Sequence, residues 1–451
     1  MYAFIAHTLL TLQELRVFGS FEELDATLHH YLQASGPVAL FQLILARIDK
    51  DFSKPRPKIV QDILTAIHAS RRGLTETEIM EMMQIGQSEW SPLCLALDEM
   101  LVNRSGFLTF FHDYLRQTVS SLDPQGSLIY AARKRLCDYF GRDMQSPRFY
   151  EEVPFQYVAN QDASALQQLL QDSTHFANLY RGFKFDLFAF WRFPDAKKVM
   201  ANALLASIKS GVSQAKSETA KSASLYVVDS ATSFFKELNL LEEAHAFARY
   251  ALQVSTQLTP QDLLGHAERE EQLAYVLRLQ GRYPEAEMTY KAVLEAKKAL
   301  LPAVSGKMAN TFNQVAVLYR KMGKYQEAEI LYANALDIRR QLYGEVHVDV
   351  AQSMNSFGCL HQDMGRLEEA EKCFNEAIRQ RELLLGASHP DLAMSLYNKG
   401  NLYLDWSKYK ESEQYYNKAL KIYVEVFGYN NGDVANTLSS LAGVIQEQGR
   451  Y

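Results

Sequence analysis

The sequence has little or none of what marks secreted, membrane-spanning or nucleic-acid-binding proteins. Its 451 residues include four cysteines, Cys94, Cys137, Cys359 and Cys373, which form no CxxC pair and no zinc-ligand spacing. No apolar run approaches the roughly 18 residues that a membrane helix needs. The net charge is −6, whereas nucleic-acid-binding domains are usually basic. These absences favour a cytoplasmic protein with reduced cysteines, and with neither a nucleic acid nor a membrane as a partner.

Motifs that carry catalysis are also missing. The chain has no GxxxxGK[ST] phosphate-binding loop, no GxSxG and no HExxH. A phosphate-binding loop supplies backbone N–H groups and a lysine to the phosphates of a nucleotide, and this sequence offers neither. The adjacent pairs His29–His30 and His112–Asp113 make poor metal sites, because neighbouring side chains on a helix point apart. The sequence therefore predicts no enzyme activity, no cofactor and no metal.

A short phrase returns every 42 residues in the C-terminal half. It begins at Gly281, Gly323, Gly365 and Ser407, each time with a basic residue next and a Glu-Ala-Glu or Glu-Ser-Glu ending, and it starts again at Gly449. A fixed period of this size is typical of a solenoid, in which each repeat is one supersecondary unit stacked on the next. Because solenoids mostly hold other molecules, the sequence indicates binding rather than catalysis.

Each repeat reads as two helices joined by a tight turn. In residues 308–349, apolar residues follow helical spacing up to Gly323 and again from Tyr325. Gly323 suits the end of the first helix, because glycine readily adopts the left-handed cap conformation. Small residues are expected where the helices approach closely, and large aromatic residues between units. The small residues are Ala316, Ala328, Ala335, Gly358, Ala370, Ala377, Gly400, Ser412 and Ala419, and the aromatic residues are Tyr290, Tyr332, Phe374 and Tyr416.

This order of small and aromatic residues resembles the tetratricopeptide repeat, a helix–turn–helix unit, over about residues 266–451. The period is longer than the usual 34 or so, because the segments 343–349 and 385–391 extend each unit. The longer form resembles the repeats of kinesin light chain. His347 and His389 recur one period apart, so we expect a structural role for them, such as capping or loop packing. Asp349 and Asp391 suit a helix N-terminus.

The N-terminal half predicts helices and one short β segment. Residues 1–10 are apolar but lack the basic region of a signal peptide, so we expect a core helix. Thr75 and Glu78 have the spacing of a capping box. Residues 90–101 read as another helix, and residues 107–111 as a β-like run before the next helix.

The segments 64–79 and 110–116 resemble the C-terminal part of a STAND-type NTPase, where a helical lid, a winged helix, a helical arm and repeats follow one another. The expected fold is therefore all-α, ending in a right-handed tetratricopeptide superhelix. The expected boundaries are 1–55 for the lid, 56–122 for the winged helix, 123–223 for the arm, 224–265 for a degenerate repeat with Asn239 at its turn, 266–307, 308–349, 350–391 and 392–432 for complete repeats, and 433–451 for the first helix of a truncated repeat.

The resemblance also implies a role for His112. In STAND-type NTPases the winged-helix histidine contacts the nucleotide phosphate, and His112 is the matching position. The alternative is an ordinary histidine at a helix start. Without a phosphate-binding loop, the chain would be a regulatory fragment of a nucleotide-dependent switch or a truncated copy with little function. The resemblance further implies a ciliary association.

The concave groove of the repeats is the stronger candidate site. The first helix of each tetratricopeptide unit lines it, and amide side chains there can donate to and accept from a peptide backbone. The resemblance to kinesin light chain implies that Asn313, Asn355 and Asn398 meet a bound peptide. The groove residues predicted by spacing are Asn313, Gln314, Arg320, Asn355, Ser356, Gln362, Tyr397, Asn398 and Asn401, followed by Ser439 and Ser440.

We therefore predict a non-catalytic scaffold that binds a peptide or protein in this groove, and a solvated groove without a ligand is the alternative. The lysine that would clamp a carboxyl-terminal tail is absent, since Asn313, Asn355 and Tyr397 occupy those positions. The apolar last helix, with no partner helix after it, predicts self-association as a second kind of contact.

Overall fold

The computed structural model describes residues 21–52, 54, 56–98, 100–429 and 431–450. The core helix expected over residues 1–10 lies outside the described residues. The chain forms two compact units, Met1–Gly211 and Val212–Tyr451. Each unit is built almost entirely from helices.

In the described part of unit 1, helices lead into a small β-hairpin. Its elements are α1 (Phe21–Leu32), α2 (Pro37–Asp51), α3 (Ile59–Ala69), α4 (Glu76–Met83), α5 (Gln87–Leu97), β1 (Leu101–Arg104), β2 (Phe107–Phe110), α6 (Asp113–Ser121), α7 (Ser127–Phe140), α8 (Pro147–Ala159), α9 (Ala163–Gln171), α10 (Ser173–Gly182), α11 (Lys184–Arg192) and α12 (Lys197–Gln214), which contains the unit boundary.

Helices α3, α4 and α5 followed by the antiparallel pair β1–β2 give the element order of a winged helix. The capping box is present, since the Thr75 hydroxyl accepts from the Glu78 N–H at 3.1 Å and the Glu78 carboxylate accepts from the Thr75 N–H at 2.8 Å. The prediction of a helix over residues 90–101 is wrong about where the helix ends. It stops at Leu97, because Leu101 instead pairs with Phe110 in the hairpin.

Unit 2 is a row of helical hairpins. Its elements are α13 (Glu218–Glu237), α14 (Leu241–Leu258), α15 (Leu263–Leu279), α16 (Tyr283–Leu300), α17 (Gly306–Lys321), α18 (Tyr325–Tyr343), α19 (Val348–Asp363), α20 (Leu367–Leu385), α21 (Pro390–Asp405), α22 (Tyr409–Phe427) and α23 (Gly432–Glu447). The turns within the hairpins are left-handed, as the 42-residue phrase predicts, with φ of +73° at Gly323 and +58° at both Asn239 and Ser407. The odd-numbered helices are the first helices of their hairpins.

The small and aromatic residues of the repeat pack against one another in the core of unit 2. Tyr290, Tyr332, Phe374 and Tyr416 are at most 1% exposed. A Cβ at Gly358 would lie 2.6 Å from the Phe374 ring, and one at Gly400 would lie 2.7 Å from the Tyr416 ring. The repeat therefore requires glycine at these two positions because the aromatic ring occupies the space of a side chain.

Candidate protein-binding groove

The helix caps explain the histidines that recur with the repeat. His347 Nδ1 accepts from the Asp349 N–H at 3.2 Å, and His389 Nδ1 accepts from the Asp391 N–H at 3.1 Å. Asn431, one period later, accepts from the Asp433 N–H with its side-chain oxygen at 2.7 Å. The expected capping role of the histidines is confirmed, and each cap fixes the start of a first helix.

Polar side chains connect the first helices of neighbouring hairpins. Four such contacts join residues 43 positions apart, from α17 to α23. They are Arg320 with Asp363 (3.7 Å), Asn355 with Asn398 (3.3 Å), Gln362 with Asp405 (2.6 Å) and Tyr397 with Ser440 (3.0 Å). We call these residues the polar row. Five of the nine predicted groove residues take part in these contacts. We add Gln314 to the polar row as a sixth, because it accepts a hydrogen bond from Arg278 at 3.4 Å.

The predicted groove residues differ in how much of them a partner can reach. Asn313, Asn355 and Ser356 are 7%, 4% and 8% exposed. Asn355 Oδ1 already accepts from Ser395 and from Asn398. Asn355 therefore holds two hairpins together. The half-buried members are Gln314, Arg320, Gln362, Tyr397, Asn398 and Asn401.

A ladder of buried cations, which was not predicted from the sequence, runs beneath the first helices. Lys297, Arg339 and Arg381 lie one period apart on second helices and are at most 4% exposed. Each donates to a hydroxyl fourteen residues later, on the next first helix. The pairs are Lys297 with Thr311 (2.9 Å), Arg339 with Ser353 (2.7 Å) and Arg381 with Ser395 (2.6 Å).

The three cations of this ladder differ in whether a carboxylate balances their positive charge. Lys297 forms an ion pair with Glu271 at 2.7 Å. Arg339 and Arg381 form no ion pair with any described residue, and they donate instead to the backbone carbonyls of Asp349 (3.0 Å) and Asp391 (2.7 Å). Burial lowers the pKa of both guanidinium groups, yet arginine stays charged in proteins. The recurrence of Lys, Arg and Arg with Thr, Ser and Ser at the repeat period is the sequence signal that could have revealed the ladder.

A cavity of about 460 Å³ is lined by residues within the range 229–310, which runs from helix α13 to helix α17 and precedes the predicted groove residues in the sequence. We call it the α13–α17 pocket. Its lining includes Asp262, which caps α15 by accepting from the Gly265 N–H at 2.9 Å. Burial raises the pKa of Asp229, although its hydrogen bonds from Arg269 act in the opposite direction. The lining holds three ion pairs, Asp229–Arg269 (2.8 Å), Glu271–Lys297 (2.7 Å) and Glu268–Lys307 (2.6 Å).

His112 belongs to unit 1. Its side chain is exposed at the start of α6, makes no capping hydrogen bond and packs edge-on against Phe111, with the ring centroids 4.5 Å apart. A nucleotide-sensing role for His112 stays a prediction. Within the described ranges, no group of three or more His, Cys, Asp or Glu side chains could hold a metal ion, and no helix is long and apolar enough to cross a membrane.

Two family models match the chain. One, described as a tetratricopeptide repeat, matches residues 307–382 and 358–424. The repeats are tetratricopeptide repeats. The other, described as the helical domain of nephrocystin 3, matches residues 6–120. Tetratricopeptide repeats are protein-interaction scaffolds, and their solenoids are typically non-catalytic.

Curated relatives are similar to the chain over part of its length. Nephrocystin-3 of Homo sapiens is 25% identical over 281 residues, which cover 59% of this chain and 21% of the relative. A tetratricopeptide-repeat-containing protein of Dictyostelium discoideum is 26% identical over 190 residues, 40% of this chain and 11% of the relative. The chain thus spans about a fifth or less of the length of these relatives.

Several solved structures are also similar to the chain. BtubC of P. vanneervenii has a TM-score of 0.43 at 22% identity, over 51% of this chain and 94% of that one. A STAND protein of Pyrococcus horikoshii with a tetratricopeptide repeat sensor has a TM-score of 0.41 at 12% identity, over 99% and 69%. A putative kinesin light chain of Podosopora anserina has a TM-score of 0.38 at 15% identity, over 45% and 95%.

Proposed function

We propose that the chain is a non-catalytic scaffold and that unit 2 binds an extended segment of a protein partner along the first helices of its repeats. The observation that carries this proposal is the polar row. Side chains of four successive first helices contact one another from each helix to the next, and several of them are half-buried rather than enclosed. Such a band suits an extended backbone, whose N–H and C=O groups need both acceptors and donors.

Three members of the band are placed to meet a partner. Gln314, Gln362 and Asn398 each carry an amide that contacts a neighbouring hairpin through one of its two polar atoms. Within the described residues, the second polar atom of each amide has no hydrogen-bond partner, so it can donate to or accept from a bound segment. Asn355 holds two hairpins together through its bonds with Ser395 and Asn398, whereas the buried Oδ1 of Asn313 has no hydrogen-bond partner among the described residues.

Loss of partners from a groove variant tests this proposal. Gln314, Gln362 and Asn398 are replaced together by Ala in the full chain, and captured proteins are quantified by mass spectrometry. The matched control replaces Lys372, Gln414 and Asn417, which are exposed on second helices. The proposal expects the groove variant to lose partners that the control retains. Equal partner lists for the two variants, with both chains folded by circular dichroism, would count against it.

A part in a nucleotide-dependent switch is the second candidate function. His112 is exposed and lies within the segment that matches the nephrocystin 3 helical domain. Calorimetry with ADP and ATP tests this candidate, and binding heat that disappears in His112→Ala would favour it over the scaffold alone. We also propose a cytoplasmic location and an association with cilia.

A further inference from the structure

The α13–α17 pocket shows which side chain of a partner this end of unit 2 takes, an inference that rests on the proposed function. We propose that the pocket binds the positively charged side chain, lysine or arginine, of a protein segment held along the first helices. Most of the pocket lining comes from three successive first helices, α13, α15 and α17, and α17 also carries Arg320 of the polar row. Its volume falls within the range of about 300–1,000 Å³ that is usual for ligand sites.

The charges of the pocket lining leave an excess of one carboxylate. Its three cations are each paired with a carboxylate at 2.8 Å or less. Asp262 is the fourth carboxylate of the lining and forms no ion pair with any described residue. A ligand with one positive charge balances this excess, whereas an anion adds repulsion.

Glu271 leaves one acceptor beside the pocket without a donor, and a ligand reaches this oxygen only when the side chain turns outward, because less than 1 Å² of it is exposed. Its Oε2 accepts from Lys297, while its Oε1 is buried and has no hydrogen-bond donor in the described part of the chain. A buried oxygen without a donor is unfavourable. The N–H groups of an ammonium or guanidinium are the donors that a carboxylate binds most strongly.

The rest of the lining suits the stem of such a side chain. Ala248 and Ala251 of α14 lie in the wall of the same pocket and are 1% and 2% exposed, so their methyl groups report on its interior. Lysine and arginine place their aliphatic stems on apolar surface while the charged end meets polar groups. A bare metal ion would gain nothing from this surface, and within the described residues the carboxylates are not grouped as metal ligands.

Methyl NMR of the full chain tests the proposal directly. Alanine methyl groups are labelled with carbon-13, and the signals of Ala248 and Ala251 are followed during titration with Nα-acetyl-lysine methylamide. The matched probe is Nα-acetyl-norleucine methylamide, which has a similar stem but no ammonium group. We expect saturable shifts of both signals with the lysine probe and none with the norleucine probe. Equal responses to the two probes, or no response to either, would overturn the proposal.

A charge variant identifies the source of the affinity. Asp262→Asn removes the unpaired charge and keeps the helix cap, because asparagine caps as well as aspartate. It should weaken binding of the lysine probe roughly two- to fivefold, the usual scale of one partly exposed charge. The control is Asp172→Asn, which changes the cap of α10 in unit 1 in the same way and should leave binding unchanged. Equal weakening in both variants, or in neither, contradicts the proposal.

The two proposals can fail separately. If the lysine probe does not bind but the groove variant still loses its partners, the pocket assignment fails and the scaffold stands. If the probe binds as expected but the groove variant keeps every partner, the pocket stands and the polar row is not the binding surface.

Discussion

Asn398 donates a hydrogen bond from Nδ2 to Oδ1 of Asn355, which lies 43 residues earlier on the preceding first helix, at a distance of 3.3 Å. The same oxygen accepts from Ser395 at 3.0 Å. A side chain predicted to meet a ligand is therefore also part of the contact between two repeats. A substitution at Asn355 or Asn398 would therefore affect both the stability of unit 2 and the binding of a partner, so variants must be chosen to separate the two effects.

Asn355→Ala should destabilise the α19–α21 region by about 1–3 kcal/mol, because it leaves the Ser395 hydroxyl and the Asn398 amide without their shared acceptor. Gln314→Ala, at a half-buried position of the polar row, should change stability by no more than about 0.5 kcal/mol. Hydrogen exchange of these helices in the full chain measures both effects. A cost for Asn355→Ala as small as that for Gln314→Ala would show that the buried contact contributes little.

Arg381→Ala should be among the most damaging single changes in unit 2. Arg381 is fully buried and donates to Ser395, to the Asp391 carbonyl and to Gln352. Its removal leaves several buried acceptors unpaired, at a cost of about 3 kcal/mol or more.

Arg379 provides the matched control on the same helix. It is exposed and pairs with Glu376 within one turn, so Arg379→Ala should destabilise unit 2 far less than Arg381→Ala does. Hydrogen exchange of α20 and α21 distinguishes the two variants. Similar protection in both would mean that the buried ladder does not hold the hairpins together.

Gly400→Ala should destabilise the chain by about 1–3 kcal/mol, because the added Cβ would lie 2.7 Å from the Tyr416 ring and the core has no room to move it. Gly443→Ala is the control, since it lies within α23 and a Cβ there meets nothing within 4 Å. That change should stabilise α23 by up to about 1 kcal/mol, as expected for Gly to Ala in a helix. Thermal unfolding of both variants checks the opposite signs, and a loss of stability in both would refute the packing argument.

The sequence predicted what is local and periodic. The turn at Gly323, the capping box of Thr75 and Glu78 and the histidine caps each depend on residues a few positions apart. The ladder of Lys297, Arg339 and Arg381 was not predicted, because its partners lie on other helices and residue spacing alone does not show burial. The burial of Asn313 and Asn355 escaped for the same reason, and the α13–α17 pocket depends on ion pairs between helices.

Acid should weaken unit 2 partly through His361. Burial lowers its pKa, with Arg366 acting in the same direction and Glu329 against it. The unfolded state therefore binds a proton first as the pH falls below about 6.5, so the free energy of unfolding decreases there. His361→Tyr removes this contribution and uses the residue found one period away on either side, at Tyr319 and Tyr403.

The comparison of urea midpoints at pH 7.5 and pH 5.5 checks this prediction. The parent chain should lose more stability between the two pH values than His361→Tyr does. His245, whose pKa is also lowered by burial, remains in both proteins and keeps part of the dependence. An identical loss in the two proteins would show that His361 is solvated in the folded state.

Site-specific photo-crosslinking tests the central claim, that a protein segment binds along the first helices of unit 2. A photo-reactive residue is placed at position 398, in the polar row, and in a second protein at position 414, exposed on a second helix. The account predicts crosslinked partner peptides from position 398 and few or none from position 414. Crosslinks that form equally at both positions, or at 414 alone, would contradict it.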